Sequence, residues 1–176
     1  MSSIFIQCFA IIVGEEGGWD QDPRDSGNWT SGTIGVGTCA GTKYGVSAAA
    51  YPTLNIGALT LADAQGIYYR DYWTKIAGDA LPPDIALYTF DAAVNSGWRR
   101  GAMWLQTALG VTPDGLIGEK TISALRGVND NAALVGTLLG TRIVFMSDTP
   151  VWKTYRGGWT TRVCALPVRA QLLKTA

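Results

Sequence analysis

Hydrophobic residues recur at helical spacing over most of the chain. The first apolar run, 4–13, follows Ser2 and Ser3, either of which can cap the start of a helix. Gly17 and Gly18 are expected to end that helix, because glycine readily adopts the backbone conformation found at helix C-termini. Apolar spacing and helix-start signals predict four more helices: after Thr60, after Pro82, over 98–109 and over 131–147.

The segment 20–59 follows a different pattern. It is rich in Gly, Thr, Asp and Asn, and its apolar residues fall in short groups such as Thr33–Gly37 and Tyr44–Val46. This composition predicts short strands and turns that form a small β-hairpin. The predicted fold is therefore α+β and mainly α.

The amino-acid composition restricts which kinds of catalysis and binding this chain can carry out. The 176 residues include 14 basic and 14 acidic side chains, so the chain lacks the excess positive charge typical of nucleic-acid binding. Because there is no histidine, Ser-His-Asp catalysis, Cys-His catalysis and His-ligated metals are excluded. Cys8, Cys39 and Cys164 lie far apart, which disfavours a zinc site or a disulfide framework. Carboxylates are the leading candidates for acid–base chemistry.

The apolar run 4–13 also bears on targeting. The first basic side chain is Arg24, and a run of ten residues, nine of them apolar, is too short to span a bilayer. The run therefore predicts a buried helix rather than a signal peptide or an integral membrane segment. An odd number of cysteines fits synthesis in a reducing cytoplasm.

Five of the fourteen acids fall between Glu15 and Asp25. Glu16 is predicted to lie at the end of an apolar helix, beside Glu15. The helix dipole, the like charge and desolvation would each raise the pKa of its carboxyl, as a general acid near neutral pH requires. Asp25, in a polar loop, is expected to stay ionised. Two such carboxyls suit glycoside hydrolysis. The alternatives are a solvated acidic loop and a calcium site, although the EF-hand spacing is absent.

Several motifs around these acids resemble glycoside hydrolase family 108, whose members are N-acetylmuramidases common among phage endolysins. The matching segments are Glu16–Trp19, Asp22–Thr30, Gly41–Val46 and Ala64–Trp73. In that family the glutamate of an E-G-G-Y signature is essential. The resemblance implies this role for Glu16, with Trp19 in the place of the tyrosine.

From Leu81 onward the chain is similar to the predicted peptidoglycan-binding domain that usually follows. The matching segments are 90–97, 104–111 and 114–118, and Gly158–Trp159 with Arg162 resembles the end of that domain. The resemblance implies a catalytic lobe over 1–80 and a helical lobe over 81–176, expected to form one compact unit.

A more distant likeness is to phage-type lysozymes. Those enzymes place an Asp nine residues after the catalytic Glu, and a Thr in a T-I-G-x-G strand. Glu16 and Asp25 match this spacing, and Thr33 begins a matching motif two residues later than expected. Thr42, in the 41–45 segment, competes for the same role. The likeness implies a lysozyme-like fold: a small lobe with a short β-hairpin, a larger helical lobe and a cleft between them.

Other residues have a functional and a structural interpretation. Trp19 and Trp29 flank the acids and are candidates for stacking on sugar rings. Asn95 follows Asp91 by four residues and shares its helix face. The lysozyme likeness implies a hydrogen bond from Asn95 to an N-acetyl group, and a buried capping role is the alternative. Structural roles are predicted for the rest: turns at Asp22 and at Asp114–Gly115, and core positions for Trp73, Trp98 and Trp104.

The segment after Thr149 contains five cations and no acid. It is predicted to be a docked helix with a solvated face. The alternative is a surface that favours the anionic cell envelope. The five cations are Lys153, Arg156, Arg162, Arg169 and Lys174.

Together these likenesses imply an enzyme that hydrolyses the β-1,4 bond between N-acetylmuramic acid and N-acetylglucosamine in peptidoglycan strands. Glu16 would protonate the glycosidic oxygen. Asp25 and a nearby threonine would hold or activate water, which implies inversion; carboxyls only about 5–5.5 Å apart would instead imply retention. No cofactor or metal is required.

The biological setting follows from the same likenesses. We expect a monomer, made in the host cytoplasm, that depends on a holin to reach the wall. A lytic transglycosylase and a non-catalytic wall-binding module are the alternatives for activity. A tail-associated or secreted muramidase is the alternative for setting.

Overall fold

A computed structural model describes residues 1–14 and 18–173. The chain divides into two compact units. One unit is Phe9–Tyr68, and the other comprises Met1–Cys8 and the chain from Tyr69 onward.

Helix α1 spans Ser3–Ile12. The predicted serine cap is confirmed, because the hydroxyl of Ser2 accepts a hydrogen bond from the amide of Phe5 at 3.2 Å. The chain then leaves the helix earlier than predicted. The amides of Val13 and Gly14 both donate to the carbonyl of Phe9, at 2.8 and 3.2 Å.

The prediction that Gly17 and Gly18 end α1 is therefore wrong. Gly14 has φ +84°, a left-handed conformation that stops the helix. Gly17 lies outside the described residues, as do Glu15 and Glu16. Helix α1 ends at Ile12, four residues before Glu16 in the sequence, rather than at Glu16 as predicted.

The predicted β-hairpin is confirmed in the Phe9–Tyr68 unit. Strand β1 (Thr42–Lys43) pairs antiparallel with strand β2 (Val46–Ser47), with Thr42 opposite Ser47. The two turn residues, Tyr44 and Gly45, have φ of +51° and +72°. Positive φ at both positions defines the type I′ turn that suits a two-residue hairpin.

The expectation of a strand at Thr33–Gly37 is wrong. This segment forms exposed turns, in which the Ser31 hydroxyl donates to the carbonyl of Val36 at 2.8 Å. Gly35 and Gly37 have φ of +79° and +78°. Left-handed residues at alternate positions interrupt an extended strand.

Helix α2 (Leu61–Tyr68) completes this unit, together with short 3₁₀ turns at Ser26–Asn28 and Ile56–Ala58. The predicted capping box is present. The amide of Thr60 donates to the Asp63 carboxylate at 2.9 Å, and the amide of Asp63 donates to the Thr60 hydroxyl at 3.2 Å.

The second unit is almost entirely helical. A π-helical turn at Tyr69–Trp73 and 3₁₀ turns at Thr74–Ile76 and Gly78–Ala80 lead into it. Helix α3 packs against α4 and α7, and α6 packs against α4 and α7. The helices are α3 (Pro83–Ser96), α4 (Trp98–Ala108), α5 (Glu119–Arg126), α6 (Asn131–Ser147) and α7 (Trp152–Ala170).

Two of these helices bear on the predictions for the C-terminal half. Helix α7 buries Val163 and Leu166, which confirms a docked helix for the cationic segment. Helix α5 is an element that the sequence analysis did not predict.

The turn predicted at Asp114–Gly115 is present: Gly115 has φ +78°, and the Asp114 carboxylate accepts from the amide of Leu116 at 2.8 Å.

Aromatic rings form the core of the helical unit. Phe5, Trp73 and Phe90 meet edge to face, with ring centroids 5.4–6.0 Å apart. The predictions of core positions for Trp73 and Trp104 are confirmed, whereas Trp98 is only half-buried. Within the described residues, no helix is both long and apolar enough to cross a membrane.

Candidate active site

A buried amide organises the polar loop that follows α1. Asn28 is fully buried. Its Nδ2 donates to the Asp20 carboxylate at 3.2 Å and to the carbonyl of Asp22 at 3.1 Å. Its Oδ1 accepts from the hydroxyl of Thr42 at 2.7 Å. One side chain thus connects the acidic segment to strand β1.

The chemistry of these partners fixes the direction of each bond. The carbonyl of Asp22 can only accept, so the amide nitrogen of Asn28 must face it. The amide oxygen then faces Thr42, and the Thr42 hydroxyl must donate its proton to it. The oxygen of Thr42 is left as an acceptor for a further group.

Backbone pairing holds the same residues together. The amide of Asp20 donates to the carbonyl of Thr42 at 2.9 Å, and the amide of Thr42 donates to the carbonyl of Asp20 at 2.8 Å. The amide of Gly41 donates to the carbonyl of Asn28 at 3.0 Å. The hairpin and the acidic segment therefore form one hydrogen-bonded structure that fixes the position of Thr42.

Asp25, the second predicted carboxylate, is exposed at the start of the 3₁₀ turn Ser26–Asn28. Its Oδ1 accepts from the amide of Gly27 at 2.8 Å. Within the described part of the chain, no hydrogen bond is recorded for its other oxygen. Asp25 can therefore cap the turn and still accept a bond from a ligand or water.

Asp22 is engaged by Arg24. The guanidinium contacts both carboxylate oxygens, with Nη2 to Oδ2 at 2.8 Å and Nε to Oδ1 at 2.9 Å. Hydrogen bonds from the Arg24 side chain and amide lower the pKa of Asp22. The amide of Asp25 donates to the carbonyl of Asp22 at 3.1 Å, so the turn predicted at this position is confirmed. A carboxylate held in this way is unsuited to donate a proton.

Trp19 presents an exposed ring in a fixed position. The residue is 52% exposed. The indole Nε1 donates to the carbonyl of Ala40 at 3.0 Å. The ring packs so closely over Gly57 that a Cβ at this position would lie 3.2 Å from it. A ring held at its edge and on one face leaves its other surface available to a ligand.

Trp29 is half-buried, and its indole Nε1 donates to the carbonyl of Pro23 at 2.9 Å. Its backbone forms an isolated β-bridge with Cys39. It holds the loop on the side of Asp22–Asp25, whereas Trp19 lies beside the hairpin.

The two threonine candidates occupy different settings. Thr42 belongs to the Asn28 network. Thr33 lies in the exposed turns, where its amide donates to the Ser31 hydroxyl at 3.1 Å. The structure therefore joins Thr42, but not Thr33, to Asp20 and Asn28 among the residues it describes.

Asn95 lies in the other unit. It is exposed near the end of α3, and its Nδ2 donates to the carbonyl of Asp91 at 2.7 Å. The alternative of a buried capping role is therefore wrong. Asn95 lines a cavity among α3, α4, α6 and α7. Glu16, the central predicted residue, lies outside the described residues.

Sequence reasoning missed Asn28 and gave Asp20 no individual role. Asn28 lies within the family-like segment 22–30, but a single amide in a polar loop has no periodicity that would reveal its burial. Among the described residues, no group of three or more Cys, Asp or Glu side chains could hold a metal ion.

The small hairpin unit and the helical unit define a mainly α, lysozyme-like α+β protein. Residues 9–97 match the glycosyl hydrolase 108 family, and residues 100–164 match the predicted peptidoglycan domain family. The chain is similar to the structure of SagA from Brucella abortus, with a TM-score of 0.76 and 30% sequence identity over 95% of this chain and 93% of that chain. No curated protein sequence matches it significantly.

The chain therefore belongs to the glycosyl hydrolase 108 family. It is a glycoside hydrolase that acts on peptidoglycan.

Proposed function

We propose that this protein is an N-acetylmuramidase, which hydrolyses the β-1,4 bond between N-acetylmuramic acid and N-acetylglucosamine. Glu16 is the general acid that protonates the glycosidic oxygen. The family match over residues 9–97, which include Glu16, carries this proposal. The lower pKa of Asp22 makes that carboxylate unsuited to serve as the proton donor in its place.

Thr42 and Asp25 are the groups that hold and activate the water in this proposal, and the reaction inverts the anomeric centre. Thr42 is favoured over Thr33 because its proton is committed to Asn28, which leaves an oxygen that can accept from water. Asp25 is exposed and keeps acceptor capacity beyond its bond from Gly27. A carboxylate base and a hydroxyl acceptor together can orient one water molecule.

Trp19 is the proposed platform for a sugar ring. Its indole edge is tied to Ala40 and one face lies on Gly57, so a saccharide can stack on the ring without a large loss of side-chain entropy. Trp29 supports the loop rather than the sugar, since its indole nitrogen already donates a hydrogen bond to the carbonyl of Pro23.

The proposal extends to the biological setting. The protein acts as a monomer on glycan strands of the host cell wall, after synthesis in the host cytoplasm and with access provided by a holin. Expression with and without a holin, followed by measurement of culture lysis, tests this part. Lysis that is equally fast without a holin would contradict it.

Digestion of purified peptidoglycan tests the activity. Wild-type protein and the Glu16→Gln variant are incubated with the wall, and released fragments are analysed by mass spectrometry. The chain contains only two other glutamates, Glu15 and Glu119. Glu119 is exposed on α5 and pairs with Arg126 at 3.2 Å, so Glu119→Gln is a matched control.

Wild type and Glu119→Gln should release fragments with a reducing N-acetylmuramic acid end, and Glu16→Gln should release none. Fragments that lack the added water would identify a lytic transglycosylase. Binding of peptidoglycan without cleavage by any of the three proteins would identify a wall-binding module. Either result would overturn the proposal.

A further inference from the structure

A cavity of about 230 Å³ lies within the helical unit. Side chains from α3, α4, α6 and α7 line it, and three of them are arginines. The lining includes Asn95, Arg100, Arg142, Phe145, Trp159 and Arg162. Pockets for whole small molecules usually measure about 300–1,000 Å³, so this cavity suits one group of a larger ligand.

The cavity carries excess positive charge. Asp91, fully buried, pairs with Arg142 at 2.5 Å and with Arg162 at 2.7 Å. Arg100 lies over the ring of Phe145, 4.3 Å from its centroid, and has no ion pair among the residues the structure describes. Three guanidinium groups and one carboxylate thus give this part of the helical unit a net charge of +2.

One donor at this cavity also lacks an acceptor. Arg142 is only 3% exposed, and its Nε has no hydrogen-bond partner in the described part of the chain. An unpaired buried donor on a charged group is costly, and an anionic acceptor would relieve that cost. Asn95 offers a further amide at the rim.

We propose that this cavity binds a free carboxylate of the peptidoglycan stem peptide. The inference rests on peptidoglycan as the substrate. In the glycan, N-acetylglucosamine is neutral and the lactyl carboxyl of N-acetylmuramic acid is consumed in the amide bond to the peptide. Free carboxylates of peptidoglycan therefore belong mainly to the stem peptide. Arg100, Arg162 and the Nε of Arg142 bind the carboxylate, and the half-buried Trp159 packs against the peptide.

Binding of the isolated stem peptide tests the cavity without any cleavage. The free tetrapeptide is titrated into wild-type protein, and its dissociation constant is compared with that of the same peptide carrying amidated carboxyls. The variant is Arg100→Gln, because Arg100 is exposed and has no ion pair with any residue that the structure describes. Arg99→Gln is the matched control: Arg99 is the neighbouring exposed arginine of α4 and does not line the cavity.

Arg100→Gln should weaken binding about tenfold, as removal of one charge-assisted bond predicts. Amidation should weaken it at least as much, and Arg99→Gln should leave it unchanged. Equal binding of the free and amidated peptides, no binding by wild type, or equal effects of the two variants would overturn the proposal. So would tighter binding of a poly(glycerol phosphate) chain, which would assign the cavity to phosphodiesters.

This test is independent of the proposed activity. If the muramidase proposal fails, wild-type protein releases no reducing fragments from the wall. If the cavity proposal fails, the dissociation constant of the peptide does not respond to Arg100→Gln. Each failure can be observed without the other.

Discussion

Thr42 donates its hydroxyl proton to the fully buried amide oxygen of Asn28 over 2.7 Å. The bond links a short 3₁₀ turn to strand β1, fourteen residues further along the chain. The same amide holds Asp20 and the carbonyl of Asp22. A loop rich in glycine and polar residues is thereby ordered around one side chain.

Replacement of Asn28 by alanine should lower the free energy of unfolding by about 3 kcal/mol, because it leaves the hydroxyl of Thr42 and the carbonyl of Asp22, both half-buried, without their partner. Urea unfolding followed by circular dichroism measures this change. Asn55→Ala is the control, since Asn55 is exposed and caps its 3₁₀ turn without a side-chain hydrogen bond. It should change stability by less than about 0.5 kcal/mol. Similar losses in the two variants would contradict the role of Asn28.

The two threonine candidates give opposite expectations. Thr42→Val should reduce kcat on peptidoglycan by about a hundredfold, within the range for groups that assist proton transfer. Thr33→Val should leave kcat near the wild-type value, because Thr33 lies in exposed turns. Thr42→Ser, which keeps the hydroxyl, should retain most of the activity. A larger loss with Thr33→Val than with Thr42→Val would reverse the assignment.

Removal of the Arg24 guanidinium should raise the pKa of Asp22 towards its ordinary value. Hydrogen bonds from Arg24 lower that pKa in the folded protein. Titration of Arg24→Gln followed by carbon NMR of the carboxyl groups measures the change. Asp63 is an internal reference: its pKa is also lowered, but by hydrogen bonds from Thr60. A shift of both carboxyls, or of neither, would contradict the assignment.

The Asp22–Arg24 pair also determines how the stability of the fold changes with pH. Because the pKa of Asp22 is lower in the folded than in the unfolded chain, its contribution to stability is present above the unfolded value of about 3.9. That contribution is lost as the pH falls through the lower folded value. In Arg24→Gln, this acid-dependent part of the stability should be smaller.

Much of the fold could be predicted because local signals agree with packing. Apolar spacing located α6 over 131–147, and the Thr60–Asp63 pair marked the start of α2. The predictions were wrong where the backbone conformation of a glycine determines whether a helix or strand continues. Gly14 ends α1 before the paired glycines are reached, and left-handed glycines turn Thr33–Gly37 away from a strand.

The sequence allowed the candidate residues of the site to be identified, but not which of them contact each other. The acidic segment and the flanking tryptophans were evident, because their side chains carry recognisable chemistry. The choice between Thr42 and Thr33 needed the contact with Asn28, which joins positions distant in sequence. The role of Glu16 stays a prediction.

The cysteines should differ in reactivity towards a thiol reagent. All three are free thiols: Cys8 is buried, Cys39 is half-buried and Cys164 is exposed. Burial raises the pKa of Cys8 to about 12. At pH 8, Cys164 should be labelled rapidly by iodoacetamide, whereas Cys8 should react only after denaturation. Mass mapping of labelled peptides measures this, and Cys164→Ser should remove the fast phase. Rapid labelling of Cys8 in the native protein would contradict its burial.

Replacement of Asp91 should destabilise the fold more than any other substitution considered above. It is fully buried and pairs with two arginines, Arg142 from α6 and Arg162 from α7. Asp91→Asn leaves two guanidinium groups without their counter-charge, so the free energy of unfolding should fall by about 3–5 kcal/mol. Chemical denaturation measures the loss, with Asp148→Asn as the control because Asp148 is exposed at the end of α6. If Asp91→Asn were as stable as the control, the ion pairs that join α3 to α6 and α7 through Asp91 would contribute nothing to the stability of the fold. Another group would then have to neutralise the charges of Arg142 and Arg162.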